Sequence, residues 1–296
     1  MPRTHVHSLR VRHYECDPYG HVNQANYLRY IQEAAFGASA AAGYDLARYE
    51  ALDRLWLVRE TEIEYLRPLR YGDTVQIKTW VSDFRRVRSR RAYEMRHDGS
   101  GKLVARASTD WVFLQLSTGR PATIPPEMKT AFYPEGPPQS APRRERFPAA
   151  SPPAGAFRQV RRVEWRDLDG AGHANNAVHL SYIEDCGLQA IAARGWPIAR
   201  MEAEGLAVFA RHHRIEYRQP ALLDDELEVT TWLSDAEGST AIRHTILTRP
   251  SDGATISRAR TEHVWLDLST GKRTAIPHAF VAEVVAGVAT PAADQG

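Results

Sequence analysis

The chain has 296 residues, of which 43% are hydrophobic and 25% charged, and its formal net charge is +2. This is the composition of a globular protein, and so small a net charge gives no argument for nucleic-acid binding. No apolar run approaches the ~18 residues of a membrane span, and the first residues lack the apolar core of a secretory signal. We therefore expect a cytoplasmic protein of about two domains. Two cysteines indicate neither a metal site nor a disulfide framework.

An internal repeat organises the chain. Residues 8–130 match residues 160–282 at 41 of 123 positions without a gap. Three motifs recur: Asp17, Gly20, His21 and Asn23 as Asp169, Gly172, His173 and Asn175; Ile63–Tyr65 as Ile215–Tyr217; and Leu116–Gly119 as Leu268–Gly271. A gap-free match over this length indicates a duplicated domain rather than shared low complexity.

The duplication predicts the domain organisation. The first domain spans residues 1–135 and the second spans residues 157–285. The segment between them, residues 136–156, is rich in proline and is predicted to be an extended linker. Residues 286–296 form a short tail, which we expect to be poorly ordered. Each copy is long enough to bury a core of its own.

Each copy is predicted to begin with a strand and a long helix. Alternating residues indicate the strand, with Leu9, Val11 and His13 in the first copy and Val163 and Trp165 in the second. Apolar residues at helical spacing then predict a helix over residues 23–42, and Gly43 is placed to end it. The same helix of the second copy runs to Gly195.

Four further strands complete each copy. They are predicted at Leu55–Tyr65, Thr74–Asp83, Arg88–His97 and Leu103–Leu116, and at Ala207–Tyr217, Glu226–Ser234, Ala241–Thr248 and Ala254–Leu268. The connections are too short for crossovers, so the sheet must be largely antiparallel. One long helix with such a meander is an α+β pattern.

Two segments carry a resemblance to known families. ECDPYGHVNQANYLRYIQEA, from Glu15 to Ala34, resembles the first-strand-to-helix segment of the 4-hydroxybenzoyl-CoA thioesterase group of hotdog proteins. RDLDGAGHANNAVHLSYIED, from Arg166 to Asp185, resembles the same segment of the plant acyl-ACP thioesterases, which are tandem hotdogs. The resemblance implies two tandem hotdog domains, each an antiparallel sheet wrapped around a long central helix. It also implies a thioesterase of fatty acid metabolism that hydrolyses acyl-CoA or acyl-ACP.

Asp17 and Asp169 are the predicted catalytic carboxylates. Thioester hydrolysis needs a carboxylate that activates water or attacks the carbonyl. It also needs dipoles that stabilise the oxyanion, and the first N–H groups of a helix supply them. By resemblance, the donors are the backbone N–H groups of Gln24 and Asn176. The alternative for either aspartate is a helix-capping or turn-forming role.

Further candidates flank these carboxylates. His21 and His173 are predicted to orient the carboxylate or hold substrate, although either could instead satisfy backbone groups of the turn. Asn23 and Asn175 are predicted to contact substrate or water, with helix capping as the alternative.

One difference between the copies bears on which site is active. The first copy keeps Asn26 and Tyr27 of the 4-hydroxybenzoyl-CoA thioesterase pattern, and both are predicted to contact substrate, whereas the second copy has Val178 and His179. If only one site is active, this difference favours Asp17.

The chain departs from the plant pattern in two places. Tyr19 and Ala171 stand where that pattern has an asparagine, two residues after the aspartate. Pro68 and Pro220 stand near the position of its later acidic residue. We therefore favour the simpler mechanism that combines an aspartate with the helix dipole.

A basic run, Arg85 to Arg91, is present in the first copy only. Alternation along a strand would place Arg86, Arg88 and Arg90 on one face, where they could contact the phosphates of coenzyme A or the acidic face of acyl carrier protein. A solvated strand edge is the alternative.

Two other functions compete with hydrolysis: a hotdog hydratase or dehydratase, and a non-catalytic acyl-thioester-binding protein. No cofactor, metal or nucleic-acid partner is predicted. A homo-oligomer of double-hotdog chains is compatible with the sequence.

Overall fold

The computed structural model describes residues 1–136 and 144–285. The chain divides into two compact units, Met1–Arg146 and Phe147–Gly296, which we call unit 1 and unit 2. The boundary between them falls inside the predicted linker, residues 136–156. The linker's own bounds stay a prediction, because residues 137–143 lie outside the described part of the chain, as does the predicted tail, residues 286–296.

Unit 1 is an antiparallel sheet with one long helix. Its elements are β1 (Thr4–Arg10), α1 (Gln24–Ala41), α2 (Leu46–Ala51), β2 (Arg54–Tyr65), β3 (Thr74–Phe84), β4 (Arg88–His97), β5 (Leu103–Gln115) and α3 (Pro126–Phe132). The strands lie in the order β1-β3-β4-β5-β2, and every neighbouring pair is antiparallel.

Unit 2 repeats this arrangement. Its elements are β6 (Phe157–Arg162), α4 (Asn176–Ala192), α5 (Ile198–Ala203), β7 (Leu206–Tyr217), β8 (Glu226–Glu237), β9 (Thr240–Arg249), β10 (Ala254–Asp267) and α6 (His278–Phe280). The strand order is β6-β8-β9-β10-β7, again antiparallel throughout. Both units therefore have the predicted α+β architecture.

The long helices pack on their sheets through small and aliphatic residues. In α1 the buried face includes Leu28, Ile31 and Ala34, at the predicted helical spacing. Alanines let the helix backbone approach β1 and β3 closely, so the sheet and the helix share one core. Gly43 follows α1 with a φ of 86°, a left-handed conformation that glycine adopts without a Cβ clash.

The first strand of each unit ends earlier than predicted. His13 and Trp165 belong to 3-10 turns, at His13–Glu15 and Trp165–Asp167, rather than to strands. In the first turn the Glu15 carboxylate accepts the Arg12 N–H at 2.7 Å, which ends the extended backbone. A local turn, rather than the alternation of residues, therefore decides where the first strand ends. Within the described residues, no helix is long and apolar enough to cross a membrane.

Candidate active site

In unit 1, Asp17 lies in a tight loop immediately before α1. A bridge between Cys16 and Val22 closes the loop. The Asp17 N–H donates to the carbonyl of His21 at 2.7 Å. Gly20 forms the tip with a φ of 73°, in the left-handed region that glycine tolerates. Gly20 at the tip and the Cys16–Val22 bridge at the base therefore define this loop.

The Asp17 carboxylate is held by backbone amides. Its Oδ1 accepts the N–H groups of Tyr19 at 2.9 Å and His21 at 3.1 Å. Oδ2 makes no hydrogen bond to any described residue, so one oxygen is fixed while the other remains available. Burial lowers the pKa of His21, and the nearby charge of Arg70 lowers it further, which outweighs the opposing effect of Asp17. At pH 7 the His21 imidazole is therefore mainly neutral.

In unit 2 the loop is the same, but side chains surround the carboxylate. Asp169 Oδ1 accepts the Ala171 N–H at 2.9 Å and lies 3.7 Å from His173 Nδ1. Asn175 Nδ2 lies 3.5 Å from Asp169 Oδ2. The side chains of Asp169 and His173 are 22% and 20% exposed, so both remain accessible. Three residues predicted from sequence are thus brought together in unit 2.

Asn23 and Asn175 cap the long helices. Asn23 Oδ1 accepts the Ala25 N–H at 2.9 Å, and Asn175 Oδ1 accepts the Ala177 N–H at the same distance. This is the capping alternative raised for them. It leaves Gln24 and Asn176 as the first residues of α1 and α4, where the helix provides no partner for the backbone N–H.

Two tyrosines contact the helix starts, a role that the sequence interpretation missed. The Tyr65 hydroxyl donates to the Gln24 carbonyl at 3.4 Å, and the Tyr217 hydroxyl donates to the Asn176 carbonyl at 3.1 Å. Both tyrosines end the repeated Ile-Glu-Tyr motif, which was the available signal.

The side chains of Asn26 and Tyr27 form hydrogen bonds within unit 1. Asn26 Nδ2 donates to the Glu15 carbonyl at 2.9 Å, and Asn26 Oδ1 accepts from Arg29 at 2.6 Å. The Tyr27 hydroxyl accepts the Leu69 N–H at 3.2 Å, and burial raises the pKa of Tyr27. Their predicted contact with substrate stays a prediction, and their observed contacts are internal.

A buried histidine replaces Tyr27 in unit 2. His179 Nδ1 lies 3.0 Å from Ser257 Oγ, and the imidazole packs edge-on against Tyr217. Burial lowers the pKa of His179 to about 4, with a further contribution from His173. His179 is therefore neutral at pH 7.

A tyrosine and an acidic residue fasten each loop to its helix. The Tyr30 hydroxyl donates to Glu15 Oε2 at 2.7 Å, and the Tyr182 hydroxyl donates to Asp167 Oδ2 at 2.5 Å. The pair recurs because both tyrosines occupy the same position of the repeat.

Arg86, Arg88 and Arg90 were predicted to share one face of a strand, but only Arg88 and Arg90 lie in a strand. Arg86 lies in the turn before β4, because that strand begins only at Arg88. Both are exposed. Arg90 donates to Glu62 Oε2 at 3.2 Å and lies 3.5 Å from Asp110 Oδ1, so acidic neighbours already balance its charge.

Comparison with known sequences shows the family. A sequence model of the thioesterase-like superfamily matches residues 11–132 and 163–284, one match in each unit. Because the matches cover most of the chain, the chain belongs to this superfamily. It is 26% identical over 214 residues to the chloroplastic palmitoyl-acyl carrier protein thioesterase of Cuphea hookeriana, covering 71% of this chain and 48% of that protein. The chain thus spans about half the length of this relative.

Solved structures share the fold. The 12:0-ACP thioesterase from Umbellularia californica superposes with a TM-score of 0.71 at 21% identity, covering 88% of this chain and 93% of that chain. An acyl-ACP thioesterase from Bacteroides thetaiotaomicron gives a TM-score of 0.66 at 16% identity, covering 88% and 97%. These likenesses confirm the predicted tandem hotdog fold.

Proposed function

We propose that the chain is a hydrolase of acyl thioesters carried by acyl carrier protein or coenzyme A. The observation that carries this proposal is the duplicated loop, which holds an accessible aspartate beside the start of a long helix in a chain of the thioesterase-like superfamily. The names of the plant and bacterial relatives favour acyl carrier protein as the carrier. Location in the cytoplasm and assembly into homo-oligomers stay predictions.

The aspartate acts as the base in the proposed reaction. Asp17 or Asp169 takes a proton from water while the water oxygen attacks the carbonyl carbon. The oxyanion of the tetrahedral intermediate accepts the backbone N–H of Gln24 or Asn176, aided by the positive end of the helix dipole. Collapse breaks the carbon–sulfur bond. The carboxylic acid is released, and the proton passes from the aspartic acid to the thiolate.

The two carboxylates are prepared for this task differently. Two amide donors fix the position of Asp17 Oδ1. Asp169 has one amide donor, and His173 and Asn175 approach its two oxygens. Retention of Asn26 and Tyr27 favoured Asp17, but their side chains are engaged in internal contacts. The side-chain cluster in unit 2 therefore favours Asp169 as the stronger site.

A free-thiol release assay tests the proposal. Parent protein is incubated with acyl-CoA and acyl-ACP substrates of graded chain length, together with Asp17→Asn, Asp169→Asn and the double variant. We expect turnover by the parent and a loss of about 10²-fold or more in the double variant. We also expect a larger loss in Asp169→Asn than in Asp17→Asn. Asp98→Asn, an exposed carboxylate outside both loops, is the matched control.

The competing functions give different outcomes in the same assay. A hydratase would add water to an enoyl thioester without releasing thiol. A binding protein would retain acyl thioester without turnover, and both aspartate variants would bind like the parent. Undiminished thiol release by a folded double variant would show that neither carboxylate is the base.

A further inference from the structure

Each unit buries one arginine at the same position of the repeat. Arg91 of β4 is 6% exposed and Arg243 of β9 is 7% exposed. Each donates through Nη1 to a buried threonine hydroxyl at 3.4 Å, Thr79 in unit 1 and Thr231 in unit 2. Neither forms an ion pair with any described carboxylate. Because a buried charge is costly unless something balances it, each guanidinium needs a compensating group.

Unit 1 covers its arginine with an aromatic ring. The guanidinium carbon of Arg91 lies 5.5 Å from the centroid of Phe132, close enough for a cation–π contact. Burial lowers the pKa of Arg91, and Tyr93 and Tyr49 lie close enough to oppose this shift. Aromatic side chains therefore occupy the space around Arg91.

Unit 2 has smaller residues at these places and leaves a cavity. Val284 stands where unit 1 has Phe132, and Thr245 stands where it has Tyr93. Gly187 replaces Ala35, and a Cβ at Gly187 would lie 3.2 Å from Arg243 Nε, so the glycine makes room for the guanidinium.

The cavity is small and positively charged. Its walls include Arg243, Arg194, Thr231, Trp232, Ile191 and Val284. Its volume is about 20 Å³, enough for one water-sized group and too little for an acyl chain. Arg194 donates to the Gly155 carbonyl at 3.1 Å at the same wall. Two arginines and a threonine thus line one small space.

We propose that unit 2 binds one monovalent anion of about the size of chloride between Arg243 and Arg194. The anion supplies Arg243 with the negative charge that no described carboxylate provides to it, and the Arg243 guanidinium donates to the anion. Burial lowers the pKa of Arg243 to about 10, so the guanidinium is still charged at pH 7. The site is separate from the aspartate loops and does not depend on the proposed hydrolysis.

Bromide diffraction tests the site on the unaltered full chain. Crystals grown in sodium bromide are measured at the bromine absorption edge. We expect an anomalous peak within about 3.5 Å of the Arg243 guanidinium, since charged N–H donors hold anions at close range. We expect no such peak at Arg91, where aromatic rings fill the space. Absence of a peak at Arg243 in bromide-grown crystals would overturn the proposal.

Thermal unfolding gives a second, independent test. Parent protein is melted in sodium chloride and in sodium gluconate at equal ionic strength, and we expect the midpoint in chloride to be higher by about 3 °C. Val284→Phe places the side chain of unit 1 over Arg243 and should abolish this difference. Arg91→Met should keep it. An equal chloride effect in parent and in Val284→Phe would refute binding at this cavity.

Discussion

The loops of the two units have the same backbone and different surroundings. In unit 1, Asp17 is fixed by two amides of its own loop. In unit 2, the side chains of His173 and Asn175 approach Asp169 instead. The Asp, Gly, His and Asn positions of the motif are identical, whereas Pro18 and Tyr19 of the first loop correspond to Gly170 and Ala171 of the second. Duplication thus preserved the loop, while the contacts of its carboxylate differ between the units.

The largest expected difference between the units is in stability at low pH, and it concerns His179, which stands where unit 1 has Tyr27. Its folded pKa of about 4 lies below the ordinary value of 6.5, so the unfolded chain binds the proton first as pH falls. The stabilisation from neutral His179 is complete above pH 6.5 and is lost as pH falls toward 4. The loss is about 3 kcal/mol. Urea titrations between pH 4 and 7 measure the free energy of unfolding at each pH. We expect this free energy to fall less steeply with decreasing pH in His179→Gln than in the parent. An equally steep fall in both proteins would show that His179 does not cause the pH dependence.

The second prediction compares the two loop histidines. His173 Nδ1 lies 3.7 Å from Asp169 Oδ1. In unit 1 the hydrogen bonds to the Asp17 carboxylate come from the backbone N–H groups of Tyr19 and His21. We expect His173→Ala to lower kcat by about tenfold and His21→Ala to lower it less, both measured by thiol release. Because His21 shares the loop position, it serves as the control. Equal losses would mean that the side-chain cluster in unit 2 gives no catalytic advantage.

The smallest effect concerns the loop glycines, which the two units share. Gly172 has a φ of 79°, and a Cβ there would meet no atom within 4 Å, so any penalty arises from the backbone alone. We expect Gly172→Ala to destabilise the protein by about 1 kcal/mol. Gly170→Ala in the same loop is the control, since Gly170 has no positive φ and equal space. Denaturant unfolding measures both, and matching values would disprove the conformational argument.

The fold was largely readable from the repeat and the periodicity. The long helices and eight of the strands lie where the alternation of apolar residues predicts them, within a few residues. The short helices α2, α3, α5 and α6 were not predicted, because a helix of so few residues has little periodicity and is stabilised mainly by packing. The first strands were extended too far, into 3-10 turns whose hydrogen bonds join nearby side chains to the backbone.

The candidate site was predicted in part. The positions of Asp17 and Asp169 before the helices followed from the motif, and the capping role of Asn23 was available as an alternative. The contacts of Tyr65 with Gln24 were not foreseen, because they join residues far apart in sequence. The binding role of Arg90 stays a prediction, and its ion pairs with Glu62 and Asp110 could not be foreseen because they join separate strands.

The sequence alone determined the duplication, the α+β architecture and the loop that holds each aspartate, because these depend on local patterns of glycine, asparagine and apolar residues. Only the tertiary structure decided the distances around each carboxylate and which groups cover each buried arginine. The cover of each arginine depends on side chains from distant parts of the chain, such as Phe132 over Arg91. A change such as Phe132 to Val284 alters packing and charge balance without altering the local pattern.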